Sequence, residues 1–170
     1  MSEQPTVAAV LAALEARGIR LPAGPVRLDG YGDSAALSQE LLALIRQGVK
    51  RAGTGLLWAM EADGETPSRV GDIEIVLDHE QQPALLTRIS WVQTLPFSEV
   101  TADYAAREGE GDGSLEYWRR AHWAFFSREC ARIGREPDES MPVVCCLFEL
   151  LEDLAAPEMP AAPTADGAGG

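Results

Sequence analysis

Apolar residues recur at helical spacing in several stretches of the chain. Such spacing, with a side chain that can accept a hydrogen bond at the start and glycine at the end, is typical of amphipathic helices. Either Asp33 or Ser34 can cap the second helix and Ser114 can cap the last one, while Gly48 and Gly134 are suitable stops. The pattern predicts helices over 6–17, 34–48 and 114–133, with one or two helical turns over 101–107.

Strand patterns fill most of the space between the second and the last of these helices. Runs rich in β-branched and apolar residues are separated by polar, turn-forming segments. The last run is apolar throughout, which indicates burial on both faces. The runs predict antiparallel strands over 55–60, 72–77, 84–92 and 143–150. Together with the helices they predict an α+β fold, a small antiparallel β-barrel with flanking helices.

The order of these patterns divides the chain into three parts. Residues 1–33 form an N-terminal helix and a loop rich in proline and glycine, and residues 34–152 form the main domain. Residues 153–170 are rich in alanine, proline and glycine, which predicts a disordered tail. A length of 170 residues is sufficient for one domain with a sizeable core.

The net charge narrows the classes of partner. A formal charge of -13 argues against a protein that coats duplex DNA or an anionic membrane. The sequence shows neither a leader pattern nor an apolar stretch long enough to span a bilayer, so we expect a cytoplasmic protein. Cys130, Cys145 and Cys146 are interpreted as buried thiols, because the adjacent pair on a strand must point to opposite faces.

Lys50 is the only lysine among the 14 basic residues. It lies between glycine-flanked positions at a helix-to-strand junction, with Thr54 close behind it, where the backbone can approach a ligand. Lysine, unlike arginine, can release its proton when desolvated. Lys50 is therefore a candidate catalytic residue, although a solvated lysine in a tight turn would look the same.

An acidic loop follows the predicted turn at 101–107. Glu108, Glu110 and Asp112 alternate with glycine, so the three carboxylates can converge for acid/base chemistry. The alternative without a function is a solvated loop, in which Asp112 and Glu116 flank the cap at Ser114 and interact favourably with the helix dipole.

The histidines, cysteines and tryptophans give weaker indications of a functional site. His122 on the aromatic face of the last helix is typical of a hydrogen-bonded core histidine. His79, His122 and the cysteines lack the spacing of a zinc site, so we expect no metal and no cofactor. Trp58, Trp118 and Trp123 are interpreted as core or rim aromatics, one of which could stack on a base.

Several segments in combination resemble the ASCH-domain family. The resemblance covers roughly residues 34–150 and is typical of a bacterial branch. It is carried by GVK at 48–50, LW at 57–58, VGD at 70–72, PFSEV at 96–100, EGEGDGSL at 108–115, WR at 118–119 and His122. The resemblance implies a PUA-like fold with a ligand cleft on the barrel. It also implies association with RNA, and some small bacterial members are amidohydrolases that remove the acetyl group of N4-acetylcytidine with a lysine, a threonine and a glutamate.

Carried over to this sequence, these roles fall on Lys50, Thr54 and Glu108. In the amidohydrolase pattern the threonine lies three residues after the lysine, where this chain has Gly53. Thr54 comes one residue later, so either a bulge returns it to the cleft or the nucleophile is missing. The candidate substrate-binding residues are Arg51, Trp58, Glu110, Asp112, Ser114, Trp118, Arg119 and His122.

Three functions follow from the resemblance. In the first, Thr54 attacks the amide of an N4-acylated cytidine, Lys50 as a neutral amine takes its proton, and Glu108 orients or protonates the leaving group. In the second, the protein is a non-catalytic module that binds a nucleoside or short single-stranded RNA. In the third, the same residues cut single-stranded RNA.

Overall fold

The structure is a computed structural model, and it describes residues 3–155. Six helical segments surround one five-stranded sheet that curves into a half-barrel, so the predicted α+β class with flanking helices is confirmed. The helices are α1 (Val7–Ala16), α2 (Ala35–Arg46), α3 (Leu57–Ala62), a 3-10 turn (Phe97–Glu99), α4 (Ala102–Glu108) and α5 (Leu115–Ile133). The strands are β1 (Val26–Gly30), β2 (Ala52–Leu56), β3 (Ile73–Leu77), β4 (Pro83–Pro96) and β5 (Pro142–Asp153).

The strand order is β1-β3-β4-β5-β2. All neighbours are antiparallel except β1 and β3, which run parallel. β2 therefore lies at one edge of the sheet, where both of its faces and its free side can contribute to a cleft.

All four helical segments that the sequence predicts are present, and each begins after a residue whose side chain caps the helix. Thr6, Ser34, Thr101 and Ser114 each accept a backbone N–H bond from the residue three positions later. Gly134 ends α5 in the left-handed conformation, with φ of 74°.

Three groups of buried side chains form the core on the two faces of the sheet. One packs Trp118 and Phe126 of α5 against Phe97, another joins α1 to β3, and a third joins α2 to β4 and β5. Cys145 lies in the first group and Cys146 borders the third, so the prediction of thiols on opposite faces of β5 is confirmed.

The structure corrects two elements of the sequence interpretation. The predicted strand over 55–60 is wrong beyond Leu56, because 57–62 turns into α3 and the methyl group of Met60 folds over Gly55. The supposed loop before residue 33 contains β1, which gains its stability from pairing with β3 and not from its own pattern. A parallel edge strand thus joins a sheet that the sequence predicted as antiparallel throughout.

The last strand runs past residue 152. β5 continues to Asp153, and Leu154 is buried against the α1 side of the core. The rest of the predicted tail, from residue 156, lies outside the described residues. Within residues 3–155, no helix is long and apolar enough to cross a membrane.

Candidate functional site

Lys50 enters the site from the turn that follows α2, immediately before β2. Its side chain is 1% exposed, and its ammonium group lies 2.7 Å from the carbonyl oxygen of Ala52 and 2.8 Å from Oε1 of Glu110. Oε1 of Glu108 lies 3.5 Å away. Three acceptors around one nitrogen match the three N–H donors of a charged lysine, so Lys50 rests as an ammonium.

Glu108 is the last residue of α4, and close backbone packing brings it to Lys50. Gly109 adopts φ of 63°, and a Cβ at this position would lie 2.5 Å from the carbonyl oxygen of Val49. The backbone N–H of Arg51 donates to the carbonyl of Arg107 at 2.9 Å, which ties the end of α4 to the start of β2. Glycine at 109 is thus needed for both its conformation and its small size.

The Glu108 carboxylate is surrounded by donors although it is only 1% exposed. Oε1 accepts from Thr54 at 3.2 Å, and Oε2 accepts from the indole Nε1 of Trp118 and lies 2.9 Å from Nε2 of His122. Burial alone would raise the pKa of Glu108, but the charges of Lys50 and His122 and these hydrogen bonds outweigh it and lower the pKa to about 2. Glu108 is therefore an anion in the resting network.

His122 is paired through both ring nitrogens. Nδ1 lies 2.9 Å from the carbonyl oxygen of Trp118, while Nε2 faces the Glu108 carboxylate. Because both partners are acceptors, both nitrogens must carry protons, which makes the ring an imidazolium. Burial opposes the charge, but Glu108 outweighs it and raises the pKa of His122 above its ordinary value. The two cations, Lys50 and His122, balance the two anions, Glu108 and Glu110.

Thr54 reaches this network from the middle of β2. The β2–β5 register is regular from Ala52 to Leu56, so Thr54 reaches Glu108 without a bulge in this pairing. Its Oγ1 also lies 2.9 Å from the hydroxyl of Tyr104, which donates to the carbonyl of Gly53 at 2.7 Å. Since the single proton of Tyr104 is used there, the proton of Thr54 points to Glu108 or Tyr104 and its lone pairs remain available.

These side chains line one cavity of about 380 Å³, which is in the size range of small-ligand sites. Thr54, Lys50, Glu108, Glu110 and His122 all contribute to its wall.

Ligand atoms of Glu108, Glu110 and His122 lie within 4.8 Å of one another, a spacing that could hold a metal ion. In the resting network, however, each carboxylate already pairs with a cation, Glu110 with Lys50 and Glu108 with His122. We therefore interpret the group as two ion pairs.

The structure brings together six of the eleven residues that the sequence singled out. Lys50, Thr54, Glu108, Glu110, Trp118 and His122 form the network described above.

The other five lie outside the cavity lining. Arg51 donates to the carbonyls of Ile45 and Lys50, and Arg119 lies on the surface near the carbonyl of Ser98. The guanidinium of Arg135 covers the ring of Trp58 at 4.3 Å. The remaining two, Asp112 and Ser114, form the cap of α5.

Several residues of the hydrogen-bond network and of the cavity wall were not picked out from the sequence. Tyr104 precedes Glu108 by four residues, so helical spacing alone would have placed it on the same face. Tyr31, whose ring lies 5.4 Å from the ammonium of Lys50, gave no such signal. Neither did Asp29 and Glu74, which line the cavity from β1 and β3.

Fold and cavity together define an α+β domain of the PUA-like class with a buried polar network at the edge of the sheet. The family model described as ASCH domain matches residues 28–152, and the chain belongs to this family. An ASCH domain from Lactobacillus crispatus JV V101 is 33% identical with a TM-score of 0.69, and the match covers 74% of this chain and 79% of that one.

Protein EF3133 from Enterococcus faecalis V583 is also similar. It is 27% identical with a TM-score of 0.68, and the match covers 83% of this chain and 84% of that one. No curated protein matches the sequence.

Proposed function

We propose that this protein hydrolyses the amide bond of N4-acetylcytidine or a closely related N4-acylated cytidine. The observation that carries the proposal is the hydroxyl of Thr54, which lines the cavity and is hydrogen-bonded at 3.2 Å to an anionic carboxylate. A hydroxyl with its proton held by a base and its lone pairs available is the arrangement that nucleophilic catalysis requires.

In the first half of the reaction, Oγ1 of Thr54 attacks the acetyl carbonyl while its proton passes to Oε1 of Glu108. That oxygen also faces the ammonium of Lys50 at 3.5 Å. Lys50 donates a proton to the N4 nitrogen as the C–N bond breaks, and it takes up the proton held by Glu108. Cytidine leaves, and the acetyl group remains as an ester on Thr54.

In the second half, water attacks the ester and acetate leaves. The proton of the water returns to Thr54 through the same carboxylate, so that the net reaction is amide plus water to amine and carboxylic acid. This division of labour differs from the neutral-lysine base implied by the family resemblance. Lys50 here starts as an ammonium because three oxygens surround it.

Membership of the ASCH family suggests RNA as a second candidate ligand. The observation that counts against a long strand is burial: Lys50 is 1% exposed, and Arg51 and Arg119 are outside the cavity lining. A nucleoside or a very short segment of single-stranded RNA therefore fits better than a strand along a basic groove. A ribonuclease that uses the same residues is the remaining alternative.

The test is incubation of the purified protein with N4-acetylcytidine and, in parallel, with labelled single-stranded RNA. We expect release of cytidine and acetate and intact RNA. Cut strands without cytidine would favour the ribonuclease, and neither product would reject both enzymatic functions.

Variants of two residues test the mechanism. Thr54→Val removes the nucleophile and should abolish turnover, whereas Thr94→Val, at an exposed position of β4, is the matched control and should retain it. Lys50→Arg keeps the charge but cannot release a proton near neutral pH, so we expect a loss of at least about a hundredfold in kcat. If the arginine variant keeps most of its rate, Lys50 contributes only charge.

A further inference from the structure

The cavity has a second polar wall, formed by β1 and β3. Asp29 and Glu74 lie on the same face of these paired strands, and their carboxyl groups are hydrogen-bonded to each other. The hydroxyl of Ser68 donates to Oε1 of Glu74 at 2.8 Å, and the backbone N–H of Gly30 donates to Oδ1 of Asp29 at 2.8 Å. Both carboxyls line the cavity, and Glu74 is 2% exposed.

Two hydrogen-bonded carboxyls share a proton, because ionisation of one opposes ionisation of the other. The nearest guanidinium does not neutralise them. Arg27 donates to the carbonyls of Thr66 and Pro67 and forms its ion pair with Asp72 instead. The shared proton lies between the two carboxyls, so the pair presents its remaining acceptor oxygens to the cavity with a single negative charge.

A buried hydroxyl lies beside the pair on β4. Thr87 lies directly opposite Glu74 in the β3–β4 register, so the two side chains share a face of the sheet. Thr87 is fully buried, and its Oγ1 has no hydrogen-bond partner among the residues that the structure describes. A buried polar group without a partner costs stability, because its lost hydration is not compensated.

The two polar walls belong to one cavity, in which Tyr31 lies between them. The ammonium of Lys50 is 5.4 Å from the Tyr31 ring, while burial and the negative charge of the Asp29–Glu74 pair raise the pKa of Tyr31 well above its ordinary value. Seven of the residues that line the cavity are carboxylic acids, against one lysine, one arginine and one histidine. A phosphate would be repelled from such a lining.

We propose that the Asp29–Glu74 pair binds the vicinal hydroxyls of the ribose of an uncharged nucleoside. The inference rests on the proposed function, which places the N4 amide at Thr54. In cytidine the ribose is attached on the opposite side of the base from N4, so it extends away from Thr54 toward the second wall. The acceptor oxygens of the pair match two neighbouring hydroxyls, each of which can donate a hydrogen bond to one of the carboxyls.

The experiment measures direct binding of the product, cytidine, by calorimetry, so that it does not depend on turnover. The wild-type protein should bind cytidine about tenfold or more tightly than 2′-deoxycytidine, because one or two hydrogen bonds to a charged pair are lost. Cytidine 5′-monophosphate should bind more weakly than cytidine. Binding of cytidine without hydrolysis of N4-acetylcytidine would reject the proposed function and leave this inference standing.

Variants identify the pair as the source of the preference. Asp29→Asn and Glu74→Gln should reduce the preference for ribose to less than about threefold, with thermal unfolding used to confirm that each variant is folded. Glu152→Gln changes an exposed carboxyl outside the cavity lining and should leave the preference unchanged. Equal binding of cytidine and 2′-deoxycytidine by the wild type, absence of cytidine binding, or a preference that survives both variants would overturn the proposal.

A pH profile gives a readout that a merely structural role would not change. Burial and the Asp29 carboxyl raise the pKa of Glu74 to about 9, so cytidine binding should weaken as the pH rises through this value. The other groups that face the pair do not titrate there: burial raises the pKa of Cys146 to about 12 and that of Tyr31 well above 10. Arg27 and Lys50 are the nearby cations. In Glu74→Gln the decline near pH 9 should be absent, and its persistence would count against the pair.

Discussion

Replacement of Glu108 by glutamine removes one charge from a network that is otherwise balanced. Glu108 is a buried anion between two cations, Lys50 and His122, and all of its hydrogen-bond partners are donors. The amide group of glutamine would turn two N–H donors toward some of these donors. Loss of one partner of a buried ion pair is strongly destabilising, because the remaining charge has no counter-ion.

The magnitude follows from the pKa of Glu108, which falls from an ordinary 4.5 to about 2 in the folded protein. A shift of this size corresponds to about 3 kcal/mol of the free energy of unfolding at pH 7. For a chain of this length, about 3 kcal/mol lowers Tm by roughly 6 to 12 °C. We therefore expect Glu108→Gln to unfold at a Tm lower by this amount at pH 7.

The sign of the pH dependence follows from the same shift. Because the pKa is lower in the folded state, the stabilisation is fully present above about pH 4.5 and is lost as the pH falls toward 2. The difference in Tm between wild type and Glu108→Gln should therefore shrink over this range. Exposed carboxyls with lowered pKa, such as Asp63 and Asp138, titrate equally in both proteins and cancel in the comparison.

Thermal unfolding followed by circular dichroism between pH 7 and pH 2 is the assay. Glu110→Gln is the matched control, since Glu110 is partly exposed and pairs only with Lys50. Its Tm should fall by less than half as much. An unchanged Tm for Glu108→Gln at pH 7, or a difference that stays constant down to pH 2, would refute the balanced network.

Two further predictions follow from the same site. Lys50 is the only lysine and is 1% exposed, so an amine-reactive reagent should modify only the α-amino group of the native protein and should reach Lys50 after unfolding. Peptide mass spectrometry distinguishes the two modified sites, and modification of Lys50 in the native protein would contradict its burial. In an NMR titration of the two histidines, His122 should keep its proton to a pH above 6.5, because Glu108 raises its pKa. The variant Glu108→Gln should abolish this elevation of the pKa, and exposed His79 is the internal reference.

Local signals in the sequence predicted the main helices that position the site. The caps Ser34 and Ser114 and the stop Gly134 determine where α2 and α5 lie, and these are interactions between residues close in the chain. The absence of other lysines singled out Lys50. The alternation of acidic residues with glycine pointed to Glu108, Glu110 and Asp112, and the family resemblance selected Glu108 among them. Lys50 and Glu108 both belong to the network that the structure contains.

The second wall could not be predicted in this way. Asp29 and Glu74 are 45 positions apart, and they meet only because β1 pairs in parallel with β3. β1 itself follows a segment rich in proline and glycine, and only its long-range partner makes it a strand. From the sequence alone, a carboxylate on a strand is expected to be exposed to solvent. Glu74 is only 2% exposed, because the surrounding fold encloses it.

The spacing between Lys50 and Thr54 differs by one residue from the amidohydrolase pattern, and the structure shows how Thr54 still reaches the site. The hydroxyl lies four residues after Lys50, and the regular register of β2 directs it toward Glu108. Position 53 faces the other way, since a Cβ there would lie 3.1 Å from the ring of Tyr31.

A double variant that exchanges the two residues, Gly53→Thr with Thr54→Gly, should therefore be inactive even though it restores a spacing of three. Its hydroxyl would point to Tyr31 and not to Glu108, because neighbouring residues on a strand lie on opposite faces. We also expect a lower Tm, since Tyr31 must shift to admit a side chain. Hydrolysis of N4-acetylcytidine and thermal unfolding are the two measurements, with Thr54→Gly alone as the control for loss of the hydroxyl. If the exchanged protein hydrolyses the substrate while Thr54→Gly does not, the hydroxyl acts from the opposite face, and the assignment of Glu108 as its partner is wrong.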